Sequence, residues 1–234
     1  MKSLKMRSLT RSALALVLSC GLVLGTARAQ EPVNDPLEPL NRGIFFFNQI
    51  FDAVITTPVT SIYKAIVPDP IRKSIGGVFG NLDDVYSGLN HGLQGKGQQA
   101  GRDFSRVLIN TTVGIGGLFD VATSMGIAKS KTDYGVTLGS WGIGAGPYIV
   151  LPVMGPSSLR DTVGRGMRIA SDPRTYIPWE TGYSLTATEF FHVRAENASS
   201  EGLIDSSSLD KYLFTRSLYL QRRNSLVREA LEAN

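Results

Sequence analysis

The chain of 234 residues holds one cysteine, Cys20, and two histidines, His91 and His192. A single cysteine excludes an intramolecular disulfide. Isolated histidines leave no cluster of the ligands that hold zinc, and Asp83-Asp84, the nearest carboxylate pair, reads as a solvated or helix-face pair. A Ser-His-Asp triad would need His91 or His192, but no serine sits in a nucleophile-elbow setting and nothing positions the three groups. The glycines Gly142, Gly144 and Gly146 have the wrong spacing for a dinucleotide loop and no strand before them, and Gly95-Lys96 lacks the upstream glycine of a phosphate loop. No enzyme, metal or cofactor is therefore expected. Long apolar runs are missing too: beyond the first thirty residues none reaches the roughly 18 needed for a spanning helix. Strand signals are scarce, with Tyr148 to Val153 the one candidate, so the fold class reads as all-α.

What is present begins with a leader. Lys2, Lys5, Arg7 and Arg11 make a basic start, Ala13 to Leu24 is a mostly apolar core, and Ala27-Arg28-Ala29 is a small-x-small cleavage site. Residues 1–29 read as a signal peptide, too short in its core for a membrane span. A competing cut lies before Cys20, where Val17-Leu18-Ser19-Cys20 resembles a lipoprotein box, although few apolar residues separate Arg11 from Ser19. Both remain open. Removing residues 1–29 takes away five basic residues and no acid, which turns the net charge of +4 into −1. The basic balance belongs to the leader, and nothing supports binding to nucleic acid.

Residues 30–234 are long enough for one domain with a core. Asp35-Pro36-Leu37-Glu38 has the pattern of a capped helix start, with Pro39 delaying it slightly. Leu37, Leu40, Ile44, Phe47, Phe51 and Val54 then recur at helical spacing, while Phe45, Phe46 and Ile50 lie off that stripe. A helix apolar over most of its circumference is either buried all round or faces lipid. In a soluble domain it would be core. Thr56-Thr57-Pro58 is expected to break it, and a short helix follows over 59–67. The spacing predicts a third helix over 71–90, in which Gly76, Gly77 and Gly80 imply close approach by a neighbour or a kink. Further helices are expected over 98–112, 121–125, 134–140, 156–170, 178–195 and 209–231, with a small-residue loop over 197–208. The last helix repeats apolar pairs seven apart at Tyr212/Leu213, Tyr219/Leu220 and Leu226/Val227. Its other face carries Lys211, Arg216, Arg222, Arg223 and Arg228. Tyr176 and Trp179 are candidate interfacial anchors or core-edge aromatics.

The stretch Trp141 to Asp161 holds four glycines and three prolines around a short apolar run, Tyr148 to Met154. It reads as a fixed, extended connector, with Pro156 starting the next helix. It resembles the MlaA (VacJ) family, whose members carry G-x-G-x-G-P-Y-x-x-L-P-x-x-G-P-S-x-x-R-D here. Asp35-Pro36-Leu37-Glu38 with Asn41-Arg42 is similar to the family's opening motif. Asn81-Leu82, Asn90 and Leu93-Gln94-Gly95 fit a second block. Asn110-Thr111-Thr112-Val113-Gly114 with Gly116-Gly117-Leu118-Phe119-Asp120 fits a third, and Asp133-Tyr134-Gly135 to Gly139 a fourth. Where the family has Arg-Phe ahead of Asn110, this chain has Arg106-Val107. The resemblance runs from about Asp35 to about Pro173.

The resemblance implies a single ring-like helical domain with glycine- and proline-rich connectors, lying in the inner, periplasmic leaflet of a Gram-negative outer membrane. It implies an amphipathic channel that takes misplaced glycerophospholipids from the outer leaflet and passes them to a periplasmic MlaC-like carrier, beside a trimeric porin. Lipidation at Cys20 is also implied. On this reading Gly114, Gly116, Gly117, Asp120, Gly142, Gly144, Gly146, Pro147 and Tyr148 shape the channel. Asn41, Arg42, Asn110, Arg160 and Asp161 are polar fixtures or simply caps and ion pairs. Phe45, Phe46, Phe47, Ile50 and Phe51 form a membrane belt. The alternatives are a structural or adhesion outer-membrane protein that moves no lipid, and a periplasmic lipid-degrading enzyme.

Overall fold

A computed structural model describes residues 35–205 and 210–232, without the side chains of 199–205. Cys20 and both expected cleavage points lie outside the described residues. The first helix, α1 (Glu38–Phe51), starts at Glu38 rather than Asp35: Leu37 is the N-cap, no side chain caps it, and proline sits in the first turn. That position suits Pro39, because first-turn N–H groups have no helical acceptor. The helix does not break at Thr56-Thr57-Pro58. A π turn, Asp52–Thr56, carries it directly into α2 (Thr57–Ile66). A widened turn accommodates Pro58, whose ring would otherwise crowd the carbonyl of Val54.

Helix α3 (Asp69–Leu93) runs past Gly76, Gly77 and Gly80 and outlasts the expected 71–90 at both ends. Then come α4 (Gly97–Thr112), a glycine loop, the short α5 (Val121–Ser124) and α6 (Tyr134–Ser140). Asp133 caps α6 by accepting from the Val136 N–H at 2.9 Å.

The connector folds into a hairpin, β1 (Tyr148–Leu151) against β2 (Gly155–Ser158), antiparallel with Tyr148 opposite Ser158 and Leu151 opposite Gly155. Pro156 therefore lies in β2 and does not start the next helix. Helix α7 (Leu159–Ser171) begins three residues later, capped by the Ser158 hydroxyl, which accepts from the Asp161 N–H. A 3-10 turn, Pro173–Tyr176, leads to α8 (Trp179–Asp205), and α9 (Lys211–Glu232) closes the described chain. Helix α8 continues through residues 197–205, expected as a loop. Its alanines, serines and glutamate are tolerable in a helix, and no proline stops it.

Burial is inverted. Among the largest fully buried side chains are Arg106, Asn41, Asn90, Asp84 and Asp103. The apolar core is small: Tyr148, Val150 and Tyr212, with Ile44, Phe45, Tyr219 and Leu220 packed around them. Outside, Phe46 is 63% exposed, Val54 66% and Ile66 73%. Helix α1 is therefore not buried all round as a soluble core would demand. Phe45 alone of the aromatic triplet turns in, edge-on to Tyr212. Helix α9 packs on its own domain, through Tyr212, Tyr219 and Val227, as its seven-residue repeat allows.

Packing contacts run in a closed circuit. The α1–π–α2 rod meets α8 at one end and β1 at the other. Helix α8 meets α3, α3 meets α6, α6 meets α9, and α9 meets β2, which pairs with β1. Helix α4 packs along α3, and α7 against α6.

Candidate functional site

One stripe of α3, Lys73, Gly77, Gly80 and Asp84, floors a cleft of about 620 Å³. The spacings of four, three and four put these residues on one face. The glycines are there for close approach, not for a kink. A Cβ on Gly77 would lie 2.4 Å from the Gly117 carbonyl oxygen, and one on Gly80 would lie 2.8 Å from Lys129 Nζ. Gly76 is pressed in the same way by His192 of α8, at 2.8 Å.

The opposite wall is the loop between α4 and α5. Gly114, Gly116 and Gly117 turn it: Gly116 and Gly117 have φ of 68° and 90°, and a Cβ on Gly114 would strike the Phe119 carbonyl at 2.3 Å. The turn presents Leu118, Phe119 and Val121 on the apolar side of the cleft. The polar side is built around Arg106, which is fully buried. Its Nε donates to Asp84 at 2.9 Å, one terminal nitrogen reaches both Asp120 oxygens at 3.0 and 3.1 Å, and the other donates to Thr123 and the Ile127 carbonyl. Arg106 is thus saturated by protein and acts as a frame.

Asn110 completes that frame by donating to Asp120 at 3.1 Å and accepting from the Ala122 N–H at 2.9 Å. Burial alone would push Asp120 up, but hydrogen bonds from Thr123, Asn110 and Arg106 hold its pKa down at about 2. Burial pushes the Asp84 carboxyl up despite Lys129 and Arg106 beside it. Neither Asp83 nor Asp84 is a solvated pair: Asp84 is buried against Arg106 and Lys129, and Asp83 holds Arg168 at 2.8 Å. Lys73 makes no ion pair among the described residues and is exposed at the cleft. The lining brings apolar side chains (Leu118, Phe119, Val121) and polar ones (Asn81, Asp84, Asn110, Asp120) to one cleft, with the exposed Lys73 among them.

The other expected residues fall elsewhere. Asn41 lies under the hairpin, donating to the Tyr148 carbonyl at 3.0 Å and accepting from the Val150 N–H at 2.9 Å. Asn48, two turns on, repeats this with Leu151 at 3.0 Å and Val153 at 2.7 Å. Arg42 bridges Glu38 and Asp210 at 2.8 and 2.9 Å and lies over the Tyr212 ring. Arg160 and Asp161 are buried with Tyr219 and Arg223. Gly142, Gly144 and Gly146 are exposed or nearly so and Pro147 is half-buried; nothing lies within 4 Å of a Cβ built on Gly142 or Gly144. The 620 Å³ cleft gathers Gly77, Asn110 and Asp120 but not this connector. Neither motif nor composition marks Lys73, Asp84, Arg106 and Lys129 as site residues. The helical spacing of Lys73, Gly77, Gly80 and Asp84 is the signal that joins the floor of the cleft.

His91 is not alone: its Nδ1 lies 2.7 Å from Asp103, and Ser130 donates to the same carboxylate rather than to the imidazole. That order is not a nucleophile–base pair. Among the described residues no group of three His, Cys, Asp or Glu side chains could hold a metal ion.

Known proteins place the chain. The family model described as MlaA lipoprotein matches residues 33–226. The chain is 34% identical over 217 residues to the intermembrane phospholipid transport system lipoprotein MlaA of Escherichia coli (strain K12), covering 90% of this chain and 86% of that protein. The same-named protein of Haemophilus influenzae is 30% identical over 224 residues, covering 91% and 88%. A solved structure described as "Structural basis for maintenance of bacterial outer membrane lipid asymmetry" superposes with a TM-score of 0.74 at 33% identity, covering 83% of this chain and 99% of that one. The chain belongs to the MlaA lipoprotein family.

Proposed function

We propose that this protein is an outer-membrane lipoprotein of intermembrane phospholipid transport, maintaining the lipid asymmetry of that membrane. The observation that carries this reading is the inverted burial. Large apolar side chains on α1, α2 and the start of α3 (Phe46, Phe47, Ile50, Val54, Ile62, Ile66 and Ile71) lie outside, while arginine, asparagine and aspartate lie within. Exposed apolar surface of that extent calls for lipid or a partner to cover it. No single described helix is long and apolar enough to cross a bilayer. The rod from Glu38 to Ile66 and helix α3 are bent by 118° at the break between them, and only together are they long and apolar enough. A bent pair fits one leaflet, which we take to be the periplasmic one.

A phospholipid presents a polar head and apolar tails, so its path needs both kinds of wall. The cleft over α3 supplies them, and the closed circuit of packed elements supports a path through the domain. Glycerophospholipid would move through it without bond cleavage, to be taken up by a soluble MlaC-like carrier, with a trimeric porin beside the exposed apolar helices. Mass spectrometry of the detergent-extracted protein tests this. Bound glycerophospholipid is expected, and the mass of the mature N-terminus decides between lipid on Cys20 and a start at Gln30. Protein recovered from the aqueous fraction without lipid would end the proposal.

A further inference from the structure

A second cleft, of about 380 Å³, borders α3 at Asp83 and Ser87 and is bounded by α9 and the residues that lead into α6. It is strongly cationic. Lys131, Arg168, Arg222 and Arg223 line it against two carboxylates, Asp83 and Asp133. Both acids are already engaged: Arg223 holds Asp133 at 2.6 and 2.9 Å, and Arg168 holds Asp83 at 2.8 Å. Arg223 is further tied to Asp161 at 2.8 Å. Lys131 and Arg222 are exposed and pair with no carboxylate among the described residues. Arg168 lies over the Tyr86 ring, 3.9 Å from its centre, and spends one N–H on Asp83. That stacking fixes the direction of its remaining donors. The cleft thus carries two charges in excess of its acids, on a rigid frame.

Its shape and chemistry select the ligand. Apolar contact comes from Val136, Leu226 and the Tyr219 ring, while the rest of the lining is charged or hydroxylated. Ser87 and Thr132 add hydroxyls. The volume suits a small polar anion. Guanidinium forks and an ammonium are the donors that phosphate oxygens take best. We propose that this cleft binds a phosphate-bearing anion the size of a lipid headgroup, through Lys131, Arg222 and the free edge of Arg168, with Arg223 as the fixed support. The site is distinct from the amphipathic cleft and does not depend on the transport reading.

Calorimetric titration of the full chain in detergent tests the site with three probes: inorganic phosphate, sn-glycerol 3-phosphate and a soluble short-chain phosphatidylglycerol. The double variant Lys131→Ala with Arg222→Ala removes the two unpaired cations and should leave the fold intact. Arg102→Ala, an exposed cation of α4 outside the cleft, is the control. Saturable binding that weakens about tenfold in the double variant but not in the control is expected, because two charge-assisted hydrogen bonds to the anion are removed. Binding of the first two probes marks a free-phosphate site. Binding of the short-chain lipid alone marks a headgroup site. No saturable binding of any probe, or equal affinity in the double variant, overturns the proposal.

Discussion

Asn41 donates its carboxamide N–H to the main-chain carbonyl of Tyr148, 3.0 Å away and 107 residues later in the chain. With its oxygen it accepts from Val150, so a helical side chain stands where a third strand would pair with β1. Asn48 does the same one register further, and receives the N–H of Val153, a β-branched residue at φ 65°. Two asparagines seven apart lie on the same face of a helix. The apolar helix α1 is thereby fixed to the hairpin by four polar contacts in addition to the packing of Ile44 and Phe45 on the core of Tyr148, Val150 and Tyr212.

Replacing Asn41 with Ala should leave two buried backbone groups unpaired, at a cost of about 1–3 kcal/mol each. Asn41→Asp is the sharper test. Aspartate still accepts from Val150 but sets an oxygen against the Tyr148 carbonyl, so it should destabilise nearly as much as alanine. Thermal unfolding in detergent measures both. An Asn41→Asp protein as stable as wild type would refute the clamp. The double change of Asn41 and Asn48 should cost less than the sum, because both tie the same two elements together.

Glycines of the sequence look alike and are not. Gly77→Ala must displace the Gly117 carbonyl, 2.4 Å from the new carbon, and should lower the melting temperature and disturb the cleft wall together. Gly144 faces open space and carries no positive φ, whereas Gly142 and Gly146 do, at 85° and 69°. Gly144→Leu therefore isolates the connector's role. Melting should be unchanged. A fall in lipid export, measured as outer-leaflet phospholipid in cells, is expected if the connector lines the path. Unchanged export would confine the path to the α3 cleft.

Arg106 binds two carboxylates, a hydroxyl and a carbonyl from one buried position. Arg106→Met would strand Asp84 without its main partner, and breaking a buried pair in this way typically costs about 3–5 kcal/mol. Arg106→Lys cannot span Asp84 and Asp120 at once, so it should rescue little. Adding Asp84→Leu to Arg106→Met should restore part of the stability, since the stranded charge is gone. Denaturant unfolding distinguishes these. A lysine variant of wild-type stability would show that charge alone, not the fork, is needed.

Some of this architecture is legible in the sequence and some is not. The helix Tyr134–Ser140 spans the residues expected for it, and the structure adds that Asp133, at the end of the preceding polar loop, caps it. The mostly helical class is legible from spacing, whereas Gly76, Gly77 and Gly80 read equally as close approach or a kink, and only the neighbours at 2.4–2.8 Å decide for close approach. Three things are not. Pro58 signals a break, but a π turn absorbs it, and that choice depends on how α2 packs against α8. Pro156 signals a helix start, but its neighbours pair with β1, a contact that local pattern does not encode. Asn41 is a motif residue whose partner lies more than a hundred positions away. Local chemistry tells that it is polar and on a helix, not what it holds.

Acid should unfold the protein over a definite window. Burial pushes the carboxyls of Asp133, Asp161 and Asp172 up, yet hydrogen bonds and ion pairs from Arg223, Tyr219 and Arg174 bring each below the usual range, as with Asp120 at about 2. Unfolded carboxyls titrate near about 3.9. Between that value and the folded ones the unfolded chain binds more protons, so this stabilisation is present above about pH 4 and fades as pH falls toward about 2. Asp84 has the opposite sign. Its raised pKa favours the fold below the unfolded value, and that contribution disappears as pH rises through the folded one. Asp210, held down by its hydrogen bond from Arg42, joins the other four, so five depressed groups outnumber it and the melting temperature should drop steeply below about pH 4. Asp161→Asn should be less stable at neutral pH and show a shallower drop. Parallel profiles for the two proteins would remove Asp161 from the account.

The proposed belt predicts that membrane contact and packing part within a single triplet. Phe46 and Phe47 are 63% and 49% exposed and Ile50 47%, whereas Phe45 packs edge-on to Tyr212 with ring centres 5.7 Å apart. Phe51 is half-buried beside Phe47. Exposed side chains contribute little to folding, so Phe46→Ser with Ile50→Ser should leave unfolding in detergent within about 0.5 kcal/mol of wild type. The same pair should reduce flotation with phospholipid vesicles, because each change removes exposed apolar area available to lipid. Phe45→Ala should do the reverse, costing about 2 kcal/mol of stability as its packing on Tyr212 is removed while the outer face keeps its affinity for the vesicle. If the serine pair floats as well as wild type, the exposed face of α1 is covered by something other than lipid, and a protein partner such as the proposed porin becomes the surface to test.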